Sequence, residues 1–254
     1  MFTVSFTKLR KAFDILDFRY IRFKFSMCPL HGRSIFVKLD NTMLGVRCVL
    51  CGAAPIATSI VNTLVKYEPD FAKKKIYELS SRGAFFEFLK KNAEDAIFSE
   101  YMDDLLPGES VNGVMCQDVQ HLTFGDDTFD ICTSTEVFEH VPDDVRGFKE
   151  ISRVLKSDGV FIFTVPLYDA EKTVNRVSME EGEIKYLMEP EYHDDSIRGV
   201  GKVLVYREYG RDIVERLLRA GFGSVDIVEE NDSAGFGFSK NVIVAHKANN
   251  SKAQ

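Results

Sequence analysis

A chain of 254 residues is long for one small domain and short for two full ones, so a main domain with an accessory module is expected. Its hydrophobic (45%) and charged (28%) fractions are those of a globular protein, and a net charge of -7 argues against a general nucleic-acid binder, which needs a basic face for phosphates. No apolar run approaches the roughly 18 residues that cross a bilayer.

The N-terminal stretch scatters Lys8, Arg10, Lys11, Asp14 and Asp17 among aromatics, which is not the uninterrupted apolar core of a secretory signal. Five cysteines, an odd number, suit disulfide pairing poorly. A cytoplasmic protein with reduced thiols and no membrane partner is expected. A helix fits residues 8–18. Cys28-Pro-Leu-His31-Gly32 and Cys48-Val-Leu-Cys51-Gly52 then share a layout: two metal-ligand side chains three positions apart, followed by glycine. One tight turn can present both ligands to a single ion, and glycine relieves the backbone. A β-hairpin between His31 and Cys48 would bring the turns together. Cys28, His31, Cys48 and Cys51 thus form a candidate closed Cys3His site for structural Zn2+, in a module over 1–56 that resembles a zinc ribbon. The alternative is two chance pairs in a reducing compartment; an iron–sulfur cluster usually takes four cysteines.

Residues 57–66 place Ile60, Leu64, Val61 and Val65 at helical spacing. Beyond Pro69, strands at 75–78, 96–99, 114–116, 129–134 and 159–165 alternate with helices at 84–91, 143–155 and 211–220. Such alternation predicts an α/β fold, a parallel sheet with helices on both faces, over 57–254. Ligands of such sheets bind beyond the carboxyl ends of the strands, at the switch point. There the sequence places Glu78-Leu-Ser-Ser-Arg-Gly83, then Ser99-Glu100-Tyr101, then Cys116-Gln117-Asp118-Val119. A tight turn lets a ligand approach the helix N-terminus, and a carboxylate after the second strand can accept from a ribose diol. Read singly, these are also an ordinary turn and surface acids.

The segment Asp118-Val-Gln-His-Leu-Thr-Phe-Gly-Asp-Asp-Thr-Phe-Asp130 leads through Ser134-Thr135 to Glu139-His-Val, Glu150-Ile-Ser-Arg-Val-Leu-Lys156 and Gly159-Val-Phe-Ile-Phe-Thr-Val-Pro166. This series resembles the class I S-adenosylmethionine (SAM)-dependent methyltransferases of the type-11-like subgroup, densely over about 95 residues and loosely from Lys74 to Lys247. The resemblance implies a Rossmann-like sheet and SAM as cofactor. It implies that Glu78 orders the cofactor loop, that Ser80 and Gly83 stand in for its glycine-rich turn, and that Glu100, with Tyr101 beside it, binds ribose. Asp118 and Val119 match the adenine-binding pair, and Ser134 and Thr135 border the methionine part. One departure stands out: two glycine positions of the family's first loop carry side chains, and Arg82 would either cap the loop or crowd the cofactor. Cys116 and Cys132 read as core residues, and His140 as either packing or catalytic.

An insertion at about 167–207 falls where the fold builds its substrate pocket. It contains Glu189-Pro-Glu-Tyr-His193-Asp-Asp195. A hydroxyl acceptor needs a base, and His193 is the candidate, since imidazole titrates near neutrality; the alternative is a polar surface turn. Arg207, Glu208 and Tyr209 read as substrate contacts or helix-entry residues. The sequence therefore predicts a SAM-dependent methyltransferase acting on a small-molecule or carbohydrate-like acceptor. The competing reading is an inactive methyltransferase-fold scaffold, supported by Arg82. Nucleic-acid modification is disfavoured, because only Arg33, Lys38 and Arg47 are basic around the cysteine pairs.

Overall fold

The computed structural model describes residues 19–180, 183–195 and 201–248. The helix expected at 8–18 lies outside them. The chain opens as a three-stranded antiparallel sheet, β1 (Arg22–Cys28), β2 (Gly32–Lys38) and β3 (Val46–Cys48). Its register opposes Cys28 to Gly32 and Phe36 to Cys48, so both ligand turns fall at the same end. Gly32 (φ +97°) and Gly52 (φ +72°) occupy the left-handed region, the reason each pair is followed by glycine. Cys28, Phe36, Val46, Cys48 and Ala53 form a small core that is completed by Ala234 from far along the chain.

Helix α1 (Pro55–Tyr67) carries Pro55 in its first turn, where a missing N–H costs nothing, and buries Ile60, Val61 and Leu64. The main sheet follows: β4 (Lys75–Glu78), β5 (Asp95–Glu100), a β6 (Ser110–Val111) and β7 (Val114–Cys116) hairpin, β8 (Phe129–Thr135) and β9 (Leu155–Thr164), closed by β16 (Phe222–Val228) and β17 (Val242–Lys247). Its order is β16-β17-β9-β8-β4-β5-β7-β6. Strands β4, β5, β7, β8 and β9 run parallel, while β17 lies antiparallel between β9 and β16. Chain direction across the sheet reverses between β4 and β8, which is the switch point.

Residue alternation explains the layers. On β9, Phe161 and Phe163 face one core with Phe138, Phe148, Ile151 and Leu217, whereas Val160 and Ile162 face the other with Ile60, Leu64 and Leu89. Helices α2 (Gly83–Asn92) and α1 cover the second face; α3 (Asp144–Val154) and α4 (Ile213–Arg219) cover the first. Asp143 caps α3 by accepting from Arg146 N at 3.0 Å. Helix α3 passes into β9 without a loop, so that strand begins four residues before the expected 159. Strands β16 and β17 were not among the expected elements.

The dense motif residues act as clamps. Asp130 accepts from Lys156 Nζ and Lys75 N, each at 2.9 Å, tying β8 to its neighbours. Arg153 donates to Glu150, Asp126 and the carbonyls of Leu122 and Phe124, fixing the loop before β8 to α3.

Between β9 and α4 the insertion forms three two-stranded antiparallel ribbons: β10 (Val174–Asn175) with β15 (Arg207–Glu208), β11 (Val177–Glu180) with β12 (Glu183–Tyr186), and β13 (Tyr192–Asp195) with β14 (Gly201–Leu204). His193 thus lies on a strand, opposite Val203, rather than in a turn.

Candidate functional site

The acids expected at the switch point stand at successive strand ends. Glu78 closes β4, is 1% exposed and accepts a short hydrogen bond from the Thr133 hydroxyl. Burial pushes its carboxyl up to about 8, against the lowering effect of Thr133. Glu100 closes β5, and its Oε1 accepts from Ser81 N at 2.9 Å, Ser81 Oγ at 3.0 Å and Arg82 Nε at 2.9 Å. Arg82 therefore caps the loop onto the acid. Ser80 Oγ meets the Arg82 backbone at 3.4 Å on both its N–H and carbonyl sides. Only Gly83 in this loop needs positive φ (+86°), so the side chains at the other glycine positions impose no backbone strain. A methyl group built on Gly83 would meet nothing within 4 Å, which leaves open space above the start of α2.

Asp118 is held by its own turn, with Oδ1 accepting from Gln120 N at 2.9 Å and Oδ2 lying 3.5 Å from His121 Nδ1. Tyr101 is half exposed; partial burial and the charges of Asp103 and Asp118 raise its phenol, which sets these groups together. Val119 packs into the core beside Leu122 and Phe138. Ser134 is fully buried, and its hydroxyl, like that of Thr164 on the next strand, has no hydrogen-bond partner. Thr135 ends β8, half-buried, opposite Thr164.

Beyond β8 the structure assembles a group that sequence spacing does not show. Glu139, His140 and His193 place one ligand-type atom each within 4.8 Å of one another. Glu139 is 1% exposed, neither carboxylate oxygen has a hydrogen-bond partner, and burial, then the nearby Glu136, raises its carboxyl well above the usual range. Glu136 sits at φ +51°, a strained conformation for a non-glycine residue. The turn that carries the group is fixed by Arg207, which was read from the sequence as a substrate contact or helix-entry residue. Its guanidinium donates to the carbonyls of Phe138 (2.9 Å), Val141 (2.6 Å) and Pro142 (2.6 Å). Tyr209 is also buried and donates to Asp144 at 2.9 Å, so both residues are structural.

At the other end, Cys28, His31, Cys48 and Cys51 also lie within 4.8 Å of one another. Cys28 Sγ to Cys51 Sγ is 3.7 Å and His31 Nε2 to Cys48 Sγ is 3.2 Å. Two sulfurs each roughly 2.3 Å from a tetrahedral ion would sit about 3.8 Å apart, so the set fits zinc. Burial pushes Cys28 up to about 12; at Cys48 burial is outweighed by hydrogen bonds from Ser34, the backbone and His31, and the thiol falls to about 6.

The parallel sheet with this switch point, the acids at three strand ends and the antiparallel closing pair are the Rossmann-like arrangement that the sequence resemblance implied. Consistently, residues 81–163 match the family described as "Methyltransferase domain". Sarcosine/dimethylglycine N-methyltransferase of Halorhodospira halochloris is 31% identical over 84 residues, 32% of this chain and 30% of its own length. Malonyl-[acyl-carrier protein] O-methyltransferase of Geobacter sulfurreducens is 32% identical over 120 residues, 47% of this chain and 40% of its own. The match thus spans less than half of either relative. The SAM-bound amino pentose methyltransferase CalS10 of Micromonospora echinaspora superposes with a TM-score of 0.49 at 16% identity, over 76% of this chain and 90% of that one. No helix among the described residues is long and apolar enough to cross a membrane.

Proposed function

We propose that this protein transfers a methyl group from SAM to the hydroxyl of a small-molecule or carbohydrate-like acceptor. The observation that carries this reading is the row Glu78, Glu100 and Asp118 at adjoining strand ends beside an open Gly83 turn; Gly83, Glu100 and Asp118 lie inside the segment that matches the methyltransferase family, and Glu78 lies just before it. Bound SAM supplies an electrophilic methyl group on a sulfonium. The chain's part is to bind and orient. Glu100 and Tyr101 would hold the ribose, Asp118 with Val119 the adenine, and Ser80 and Gly83 the loop side. The orphaned hydroxyl of Ser134, with Thr135, would meet the methionine part. Donors and acceptors fixed before binding lose little on ordering, and exclusion of water strengthens each of them. His193, 39% exposed and 3.6 Å from Glu191, would take a proton from the hydroxyl.

In the same reading Cys28, His31, Cys48 and Cys51 hold a structural Zn2+ that closes the N-terminal module over 1–56, and 57–254 is the catalytic domain. The donor chemistry supports this: three thiols and one imidazole meet at tetrahedral separations, with no position left for water or substrate.

A second reading, a scaffold that no longer uses SAM, is favoured by one contact, Arg82 and Ser81 on the Glu100 oxygen. Calorimetric titration with SAM and S-adenosylhomocysteine separates the two. One binding event per chain supports the enzyme; no heat with either ligand at millimolar concentration supports the scaffold.

A further inference from the structure

Among the described residues, Glu139 is buried with both carboxylate oxygens lacking a hydrogen-bond partner. A carboxyl group so placed, at 1% exposure, is left uncompensated, and a bound cation would supply the missing partner. Arg207 lies near enough to act on this carboxyl through space but donates no hydrogen bond to it, its Nη1 and Nη2 being directed at the carbonyls of residues 138, 141 and 142. Lys240 is paired with Glu136 at 2.9 Å. Both His140 and His193 meet Glu139 instead, their rings 5.0 Å apart and nearly perpendicular.

His140 is oriented for ligation. Its Nδ1 lies 2.9 Å from the Leu204 carbonyl, which can only accept, so in the neutral ring the proton is on Nδ1 and the lone pair on Nε2. A backbone carbonyl behind one imidazole nitrogen is the usual arrangement for a histidine that gives the other to a metal. That Nε2 is 3.7 Å from Glu139 Oε1, too far for a hydrogen bond. It does match the gap between two ligands that share one ion, which sit about 3 to 4 Å apart when each metal bond is roughly 2.1 Å.

We propose that Glu139, His140 and His193 bind one first-row divalent cation of the Mn2+ or Fe2+ class. Two imidazoles and one carboxylate suit such an ion and leave coordination positions open, whereas the thiolate set near the N-terminus selects zinc. The site follows directly on β8, whose end carries Ser134 and Thr135. Resting on the methyl-transfer reading above, the open positions would take oxygens of the acceptor. The cation would lower the pKa of a coordinated hydroxyl, whose proton leaves to solvent, and His193 would then serve as a ligand rather than as the base.

The test uses the full chain with its zinc retained and checked by metal analysis. Mn2+ is titrated and the free ion is followed by electron paramagnetic resonance, with SAM binding measured separately by calorimetry. One Mn2+ per chain, weakened at least about tenfold in both E139Q and H193A with zinc content and SAM affinity unchanged, is the expected result. No binding up to millimolar Mn2+, or binding in both variants as tight as in the unaltered protein, would overturn the site. H193A lies on a surface ribbon and keeps the question answerable should E139Q fail to fold. Mn2+ binding with no SAM binding would retain the cation site and remove the methyltransferase reading; SAM-dependent turnover with no Mn2+ binding would do the reverse.

Discussion

Two clusters of ligand-type side chains stand among the described residues, and they are built in opposite ways. Cys28, His31, Cys48 and Cys51 come from two turns of one small sheet, close together in sequence. Glu139 and His140 come from the turn after β8, and His193 reaches them only through the β13–β14 ribbon. Soft ligands on local turns make a site that holds its own module together. Hard and borderline ligands brought from two regions make a site that exists only once the whole domain has folded. A structural ion belongs to the first design, and a site open to an acceptor belongs to the second.

The comparison can be broken most sharply at the cysteines. Cys48→Ser should reduce bound zinc from one equivalent to a small fraction and unfold the N-terminal module, since metal affinity there is folding free energy. Metal analysis and proteolysis check this, and zinc far below one equivalent in the unaltered protein would remove the distinction. Next in size is Arg207→Ala. It leaves three carbonyls, two of them in buried contacts, without their donor and should cost about 3 kcal/mol in urea unfolding, with zinc content unchanged. His193→Ala should lower turnover roughly 100-fold while SAM affinity stays level; intact turnover would free His193 from any role.

A smaller effect is expected from Glu78→Gln. Burial keeps this carboxyl protonated up to about pH 8, against an ordinary value of 4.5 in the unfolded chain. With the folded pKa raised, its contribution to stability is fully present below pH 4.5 and is lost as pH rises through 8. Thermal melts of the SAM-free protein should therefore decline across that window, and the decline should flatten in E78Q. The smallest change is Arg82→Ala. Its ion pair with Glu100 is partly exposed, so SAM affinity should shift by only a few-fold, upward if the guanidinium competes for the ribose acid. A much larger change would show that the capped loop is what binds the cofactor.

Much of the fold was legible because its clamps require particular residues at particular spacings. Asp130 with Lys156, and Arg153 with Glu150 and Asp126, are why the segment from Asp118 to Pro166 carries so recognisable a pattern. Those same residues hold strands and helices, and none of them lies among the candidate cofactor contacts. The cofactor end was harder to read because its key contact, Arg82 to Glu100, joins a loop to the next strand through a parallel crossover. The substrate side was least legible. Nothing in the spacing of His140 and His193 announces their meeting, and the role of Arg207 depends on carbonyls that carry no sequence signature. The strand at β17 was missed for a related reason: its place between β9 and β16 is decided by the sheet and not by its neighbours in sequence.

The three ribbons between β9 and α4 have a further consequence. A two-stranded ribbon is at best marginally stable alone. These are pinned by a few bonds, among them Tyr206 N to the Glu139 carbonyl at 2.8 Å and the Arg207 contacts. Lengthening, shortening or exchanging the stretch between those pins would leave the eight-stranded sheet intact. The ribbons are in effect a replaceable fitting, and on the proposed reading a change of acceptor could be engineered there without renegotiating the core.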